Sequence, residues 1–147
     1  MNRHMIIGWT TFIALVDASI LVAAYLYFVN VSPPAVIKNS PMPTRMQEYR
    51  HGDVIQVFAD YCKNVSAPAT LDIQFVDGIV FDVGEPTRMN SPMGCDQKWF
   101  DVVRVSDKLP PGEYYLRGQS TYQVNILRSR TIDWRTQWFR VVDDDVR

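Results

Sequence analysis

Histidine and cysteine are scarce in this 147-residue chain, with two of each: His4, His51, Cys62 and Cys95. Two cysteines cannot build a thiolate zinc centre, and two histidines leave little material for one. The chain contains no Gly-x-Ser-x-Gly, no phosphate-binding glycine loop, no His-Glu-x-x-His and no Cys-x-x-Cys. The sequence signatures of a nucleophile elbow, a nucleotide cradle, a zinc protease and a redox pair are therefore missing. Charge of one sign is lacking as well: 15 Lys and Arg stand against 16 Asp and Glu, a net charge of −1. No global field draws such a chain to nucleic acid or acidic substrates. There is no internal repeat, and a composition 47% hydrophobic and 12% aromatic excludes a disordered or collagen-like chain. No cofactor and no metal are expected, and the protein reads as non-enzymatic.

The sequence does have one long apolar run. Met5–Val29 carries a single charge, Asp17, and leaves about 118 residues after it, enough for one compact domain. As a helix it spans roughly 38 Å, enough to cross a hydrocarbon core of about 30 Å with some tilt. Trp9 lies near one end and Tyr25 and Tyr27 near the other, where amphipathic rings settle at membrane interfaces. Arg3 precedes the run and no Lys follows it until Lys38, so the N-terminus is expected in the cytoplasm and the remaining domain outside, periplasmic or extracellular. A cleaved signal peptide is the alternative, with a cut after Ala24. Against it, Tyr25–Val29 continues the apolar run past that point.

Asp17 sits near the middle of the span, where a carboxylate costs about 2.5–3.5 kcal/mol on insertion scales. Thr10, Ala14, Asp17, Ala18 and Leu21 fall on one helical face of mostly small and polar groups. Such a face suits close approach by another helix, a second copy or a larger membrane partner.

Residues 30–50 contain four prolines and no clear period, which reads as a Pro-rich stalk. From Gly52 the period becomes two. Ile55, Val57, Ala59 and Tyr61 alternate with Gln56, Phe58, Asp60 and Cys62; Leu71, Ile73 and Phe75 follow the same rule. Asp77-Gly78 marks a tight hairpin before Ile79. Further strands are expected at Trp99–Val105, Glu113–Val124 and Thr131–Val142, with Ile132, Trp134, Thr136 and Trp138 on one face and both tryptophans in the core. The expected organisation is a transmembrane helix over 1–29, a linker over 30–50 and an all-β, antiparallel β-sandwich over 51–147. If the domain faces an oxidising space, Cys62 and Cys95 form one disulfide tying the first strand to the loop Gly84–Lys98. Its closed loop of about 34 residues contributes on the order of 4 kcal/mol.

Leu109-Pro110-Pro111-Gly112-Glu113-Tyr114-Tyr115-Leu116 resembles the turn leading into a strand of immunoglobulin-like domains in bacterial and phage surface proteins, a likeness best over Trp99–Val142. That resemblance implies an immunoglobulin-like sandwich. It departs from the antibody pattern in that Trp99 follows Cys95, and Met93 stands at the corner tyrosine's expected place. The layout is similar to small single-span bacteriophage proteins with a periplasmic β-domain.

Two surfaces are candidates for binding a partner. One is the Gly84–Lys98 loop with Glu85, Arg88, Met89, Asn90, Met93 and Asp96, suited to an adaptable protein contact. The other is the Arg-rich C-terminal hairpin, where Arg117, Arg128, Arg130, Arg135 and Arg140 face one acid, Asp133. Such a patch meets anionic lipid headgroups or an acidic partner, unless it is simply a solvated sheet face. The Asp143–Asp145 run reads as a solvated tail. Asp72, Asp82, Asp96 and Asp101 leave room for a carboxylate pair, so a small carbohydrate-hydrolysing envelope enzyme is the alternative from another class. The expected function is that of a membrane-anchored accessory or virion component with a protein partner in or at the membrane, or a homo-oligomer. Nucleic acid is not an expected ligand.

Overall fold

The computed structural model describes residues 3–28, 32–83 and 85–143, with backbone alone at residues 3–7 and 10. It is mostly β-structure preceded by one helix, α1 (Arg3–Phe28). The strands are β1 (Ala35–Ile37), β2 (Glu48–Arg50), β3 (Val54–Lys63), β4 (Ala69–Asp77), β5 (Ile79–Asp82), β6 (Thr87–Met89), β7 (Gly94–Arg104), β8 (Gly112–Asn125), β9 (Arg128–Arg135) and β10 (Phe139–Val142). They form a three-stranded sheet ordered β1-β3-β7 and a larger mixed sheet ordered β2-β10-β8-β4-β5. In the larger sheet β6 pairs with the start of β4, and β9 with the far half of β8. Every ladder is antiparallel except β2 on β10.

The expected alternation sets which face is buried. Ile55, Val57, Ala59 and Tyr61 of β3 meet Leu71, Ile73 and Phe75 of β4 and Tyr114, Leu116 and Tyr122 of β8 in one core between the sheets. Asp77-Gly78 makes the β4–β5 turn, with Gly78 at φ +62°, backbone that a side chain would strain.

The Pro-rich segment departs from the expected stalk. Pro34, Ala35, Met42, Thr44 and Tyr49 are buried, and β1 and β2 are edge strands of the two sheets. Asn64 binds Pro33 O through its side chain at 2.9 Å and Pro34 O through its backbone at 2.8 Å. Proline lacks a donor but is tolerated at sheet edges, where one side of the ladder is open. Proline density alone does not distinguish such an edge from a spacer.

The last strand also differs from expectation. Between β9 and β10 the ladder breaks at Thr136, whose N–H donates to Leu116 O, and Gln137 donates to Met42 O, both at 2.9 Å. The alternation slips by one residue across this break. Trp134 and Thr136 point inward, Gln137 and Trp138 outward, and Phe139 inward again. Trp138 is therefore not core: it is 54% exposed and packs edge-on against Tyr115.

Candidate functional site

Cys62 and Cys95 form the expected disulfide. Its placement differs from expectation, because Cys95 lies in β7 directly opposite Cys62 in β3, with Cα atoms 3.9 Å apart. The bridge joins neighbouring strands of the smaller sheet on their outer face. That face continues as a cross-strand ladder of Asp60 with Gln97, Phe58 with Trp99, and Gln56 with Asp101.

The long loop before Lys98 is mostly strand. Arg88 and Met89 belong to β6, opposite Thr70 and Ala69, and Asp96 belongs to β7. Met89 packs against the core, while Glu85, Arg88, Asn90 and Met93 are exposed. Asp96 lies 3.6 Å from Lys98 in an exposed ion pair. Lys63, 1% exposed, donates to Ser91 O at 2.6 Å and so pins the connection between β6 and β7. Burial lowers the pKa of its ammonium.

The five arginines do not make one patch. Arg117 and Arg135 sit opposite one another on the outer face of the larger sheet, beside a Gln119–Asp133 hydrogen bond of 2.8 Å. Arg140 lies at the other end of that sheet, 3.1 Å from Glu113 and 3.9 Å from Glu48. Arg128 and Arg130 stand near the β8–β9 turn, on the alternate face of β9. Asp72 and Asp82 lie on the larger sheet, and Asp96 and Asp101 on β7 of the smaller one.

A corner interaction closes the start of β8. The Tyr114 hydroxyl donates to Pro110 O, four residues upstream, at 2.8 Å, the geometry of a tyrosine corner. Met93, where the resemblance put a corner tyrosine, instead immediately precedes β7 and is 62% exposed. Burial first, and the Asp77 carboxylate second, raise the Tyr114 pKa.

Between the sheets lies a mainly apolar cavity of 80 Å³ reaching Ile37, Met42, Met89 and Trp134. The Tyr61 hydroxyl is the one buried side-chain polar atom without a hydrogen-bond partner among the described residues.

The helix gathers a different set. Ala14, Asp17, Ala18 and Leu21 share α1 with exposed side chains, while the side chain of Thr10 lies outside the described residues. An 18-residue window, Thr11–Phe28, is long and apolar enough to cross a membrane, and none of it is buried. Its last turn is met by the β8–β9 hairpin. Asn125 donates its side-chain amide to Leu26 O, and Arg128 donates to Tyr27 O at 2.8 Å with its guanidinium 5.1 Å from the Tyr27 ring centre. A helix leaves its last four carbonyls without partners inside the helix, and a cation near that end also meets the negative pole of the dipole. Arg128 is thus engaged by the chain's own helix.

Asn125 acts twice, because its Oδ1 also accepts the Leu127 N–H at 2.9 Å and so shapes the turn. Sequence reading passed over Asn125, Ile126 and Leu127. Their signal was an apolar pair at a turn, with polar Asn125 and Arg128 on either side.

Compared with known proteins, the chain matches no family model and no curated protein.

Proposed function

We propose that this chain is a non-enzymatic, single-span membrane protein whose β-domain rests against the outer surface of the bilayer and binds a protein partner there. The observation that carries the reading is an apolar 26-residue helix whose described side chains find no core in the chain. A helix apolar all round is at home in lipid or against other apolar helices, and water is its least favourable surrounding. The contacts of Asn125 and Arg128 favour a retained anchor over a cleaved signal. A cut after Ala24 would leave four helical residues, too few to hold a helix.

The N-terminus is cytoplasmic and the domain periplasmic or extracellular, a side that suits the Cys62–Cys95 disulfide. The domain is an immunoglobulin-like sandwich. Support comes from the Tyr114 corner and from a strand order in which β8 lies between β4 on one side and β9 and β10 on the other. The partner meets the helix face of Thr10, Ala14, Asp17, Ala18 and Leu21, which suits an accessory subunit of a membrane complex or a phage-encoded envelope component. The exposed residues Glu85, Arg88, Asn90 and Met93 offer a second contact outside the membrane.

Alkaline carbonate extraction with protease protection of sealed vesicles tests the anchor. The chain is expected to stay with the membrane and its domain to be cleaved only from the outer side. Release into the carbonate supernatant would refute it. Asp17→Leu is expected to reduce co-purification of the partner in mild detergent while leaving domain melting unchanged. Unaltered co-purification would remove the helix face from the proposal.

A further inference from the structure

The β8–β9 hairpin ends in Ile126 and Leu127, which are 83% and 52% exposed. Neither residue has a positive φ, so the turn is open to most side chains and turn formation does not call for this apolar pair. Burial does not select it either, since neither residue belongs to the core. Two adjacent large apolar side chains left in the open, where neither the turn nor the core asks for them, mark a contact surface.

The position of the tip says what it meets. Asn125 and Arg128, the residues on either side of the pair, bind the carbonyls of Leu26 and Tyr27 in the last turn of α1. With a rise of about 1.5 Å per residue, Tyr25 to Phe28 occupy only about 4.5 Å along the helix axis. Tyr25, Tyr27 and Phe28 in that turn are exposed, forming an aromatic collar where the apolar span ends. Hydrogen bonding to that collar places the hairpin tip at the same depth. Arg128 and Arg130 follow the apolar pair in β9, and among the described residues no carboxylate lies within 4.0 Å of either.

We infer that Ile126 and Leu127 form a second membrane contact: the hairpin tip dips into the headgroup–acyl boundary beside α1, with Arg128 and Arg130 at phosphate level. This rests on the reading of α1 as a membrane anchor and deepens it. The anchor holds the domain at the membrane, and the tip fixes which side of the domain faces lipid. An apolar pair followed by two cations suits an interfacial depth, where apolar side chains leave water and guanidinium groups reach phosphates. The ligand is the bilayer surface itself, with anionic lipid favoured by the two cations.

The test uses the full chain in vesicles of phosphatidylcholine with phosphatidylglycerol. Since Cys62 and Cys95 are bonded to each other, Ile126→Cys supplies the only free thiol for an environment-sensitive dye. Asp107→Cys, in the exposed turn between β7 and β8, supplies the control. Flotation of the vesicles reports the anchor, and quenching reports the tip. The dye at 126 is expected to be quenched by nitroxide-labelled lipid and shielded several-fold from aqueous iodide relative to the dye at 107. Protein that floats but shows equal iodide quenching at both positions would overturn the tip contact and leave the anchor standing. Protein that fails to float would overturn both. A companion Leu127→Cys label should show the same lipid quenching, so a local effect of one substitution would be exposed by disagreement between the two.

Discussion

Gly118→Ala offers the sharpest test of the packing that supports the hairpin. Gly118 in β8 lies directly across from Trp134 in β9, and a Cβ there would come within 2.5 Å of three atoms of the indole. Real neighbours of a Cβ stand about 3.4 Å or more away, so the ring or the strand must move by about 1 Å. The ring is poorly placed to yield: it is buried, and its Nε1 donates to Ser120 Oγ at 2.9 Å. Overpacking of this kind costs about 1–3 kcal/mol, and complete expulsion of a buried tryptophan costs about 3–5 kcal/mol. A loss of about 2–4 kcal/mol is therefore expected, lowering the melting temperature by roughly 8–16 °C for a domain of this size. Denaturant and thermal unfolding of the full chain in mild detergent, followed by tryptophan fluorescence, reads it. The cause is separated from general strand weakening by repeating Gly118→Ala in a Trp134→Leu background. With the indole gone, the added methyl is expected to cost under about 1 kcal/mol. Equal costs in the two backgrounds, or a loss under about 0.5 kcal/mol in the parent, would refute the reasoning.

Three further outcomes follow from the geometry. Cys62→Ser is expected to cost up to about 4 kcal/mol by loop entropy, and dithiothreitol should lower the parent's melting temperature similarly while leaving the variant unchanged. Tyr114→Phe removes the bond to Pro110 O and should cost about 1 kcal/mol at neutral pH. Burial raises the hydroxyl pKa of Tyr114 and Tyr122 above 10.0, so the unfolded chain gives up these protons first. Their contribution is full below pH 10 and is lost as pH climbs above it; the alkaline fall in stability should be shallower in Tyr114→Phe. Asn125→Ala deletes both the donor to Leu26 O and the acceptor for Leu127 N–H, and hydrogen exchange is expected to speed up at residues 126–128. Unchanged exchange there would show that Asn125 does not hold the turn.

The inward faces of β3 and β4 were legible because period-two alternation is a local property: Ile55 to Tyr61 and Leu71 to Phe75 point where each strand's own pattern sends them. The β4–β5 hairpin was legible because Asp77-Gly78 carries its turn chemistry in two residues. The disulfide pairing followed from there being only two cysteines, but its location did not, because register between β3 and β7 depends on contacts distant in sequence. Trp138 was misplaced for a related reason. A periodic pattern gives no sign of a one-residue slip that the bonds of Thr136 and Gln137 to Leu116 and Met42 impose. The hairpin tip was hidden in another way. Asn125, Ile126 and Leu127 gain meaning only once the helix end, about a hundred residues earlier, is found beside them.

That juxtaposition also changes how far the domain stands from the helix. A stalk over residues 30–50 would give the domain freedom to lift and turn, whereas Pro33 and Pro34 are already bonded to Asn64. From Phe28 to Pro33 the chain spans at most about 18 Å even when fully extended. A tether so short keeps Asn125 and Arg128 at high effective concentration beside the helix end, so individually modest bonds are enough to hold them there. A charge-assisted bond from Arg128 contributes about 1.5–3 kcal/mol and the neutral bond from Asn125 about 0.5–1.5 kcal/mol. Together they favour the docked arrangement by about 30-fold or more. Lengthening the tether by ten Gly-Ser residues should raise exchange at the last helical turn only modestly while these side chains remain. Combined with Asn125→Ala and Arg128→Ala, it should release the domain. Release by the long tether alone would show that chain length, rather than the hairpin, sets the domain's position.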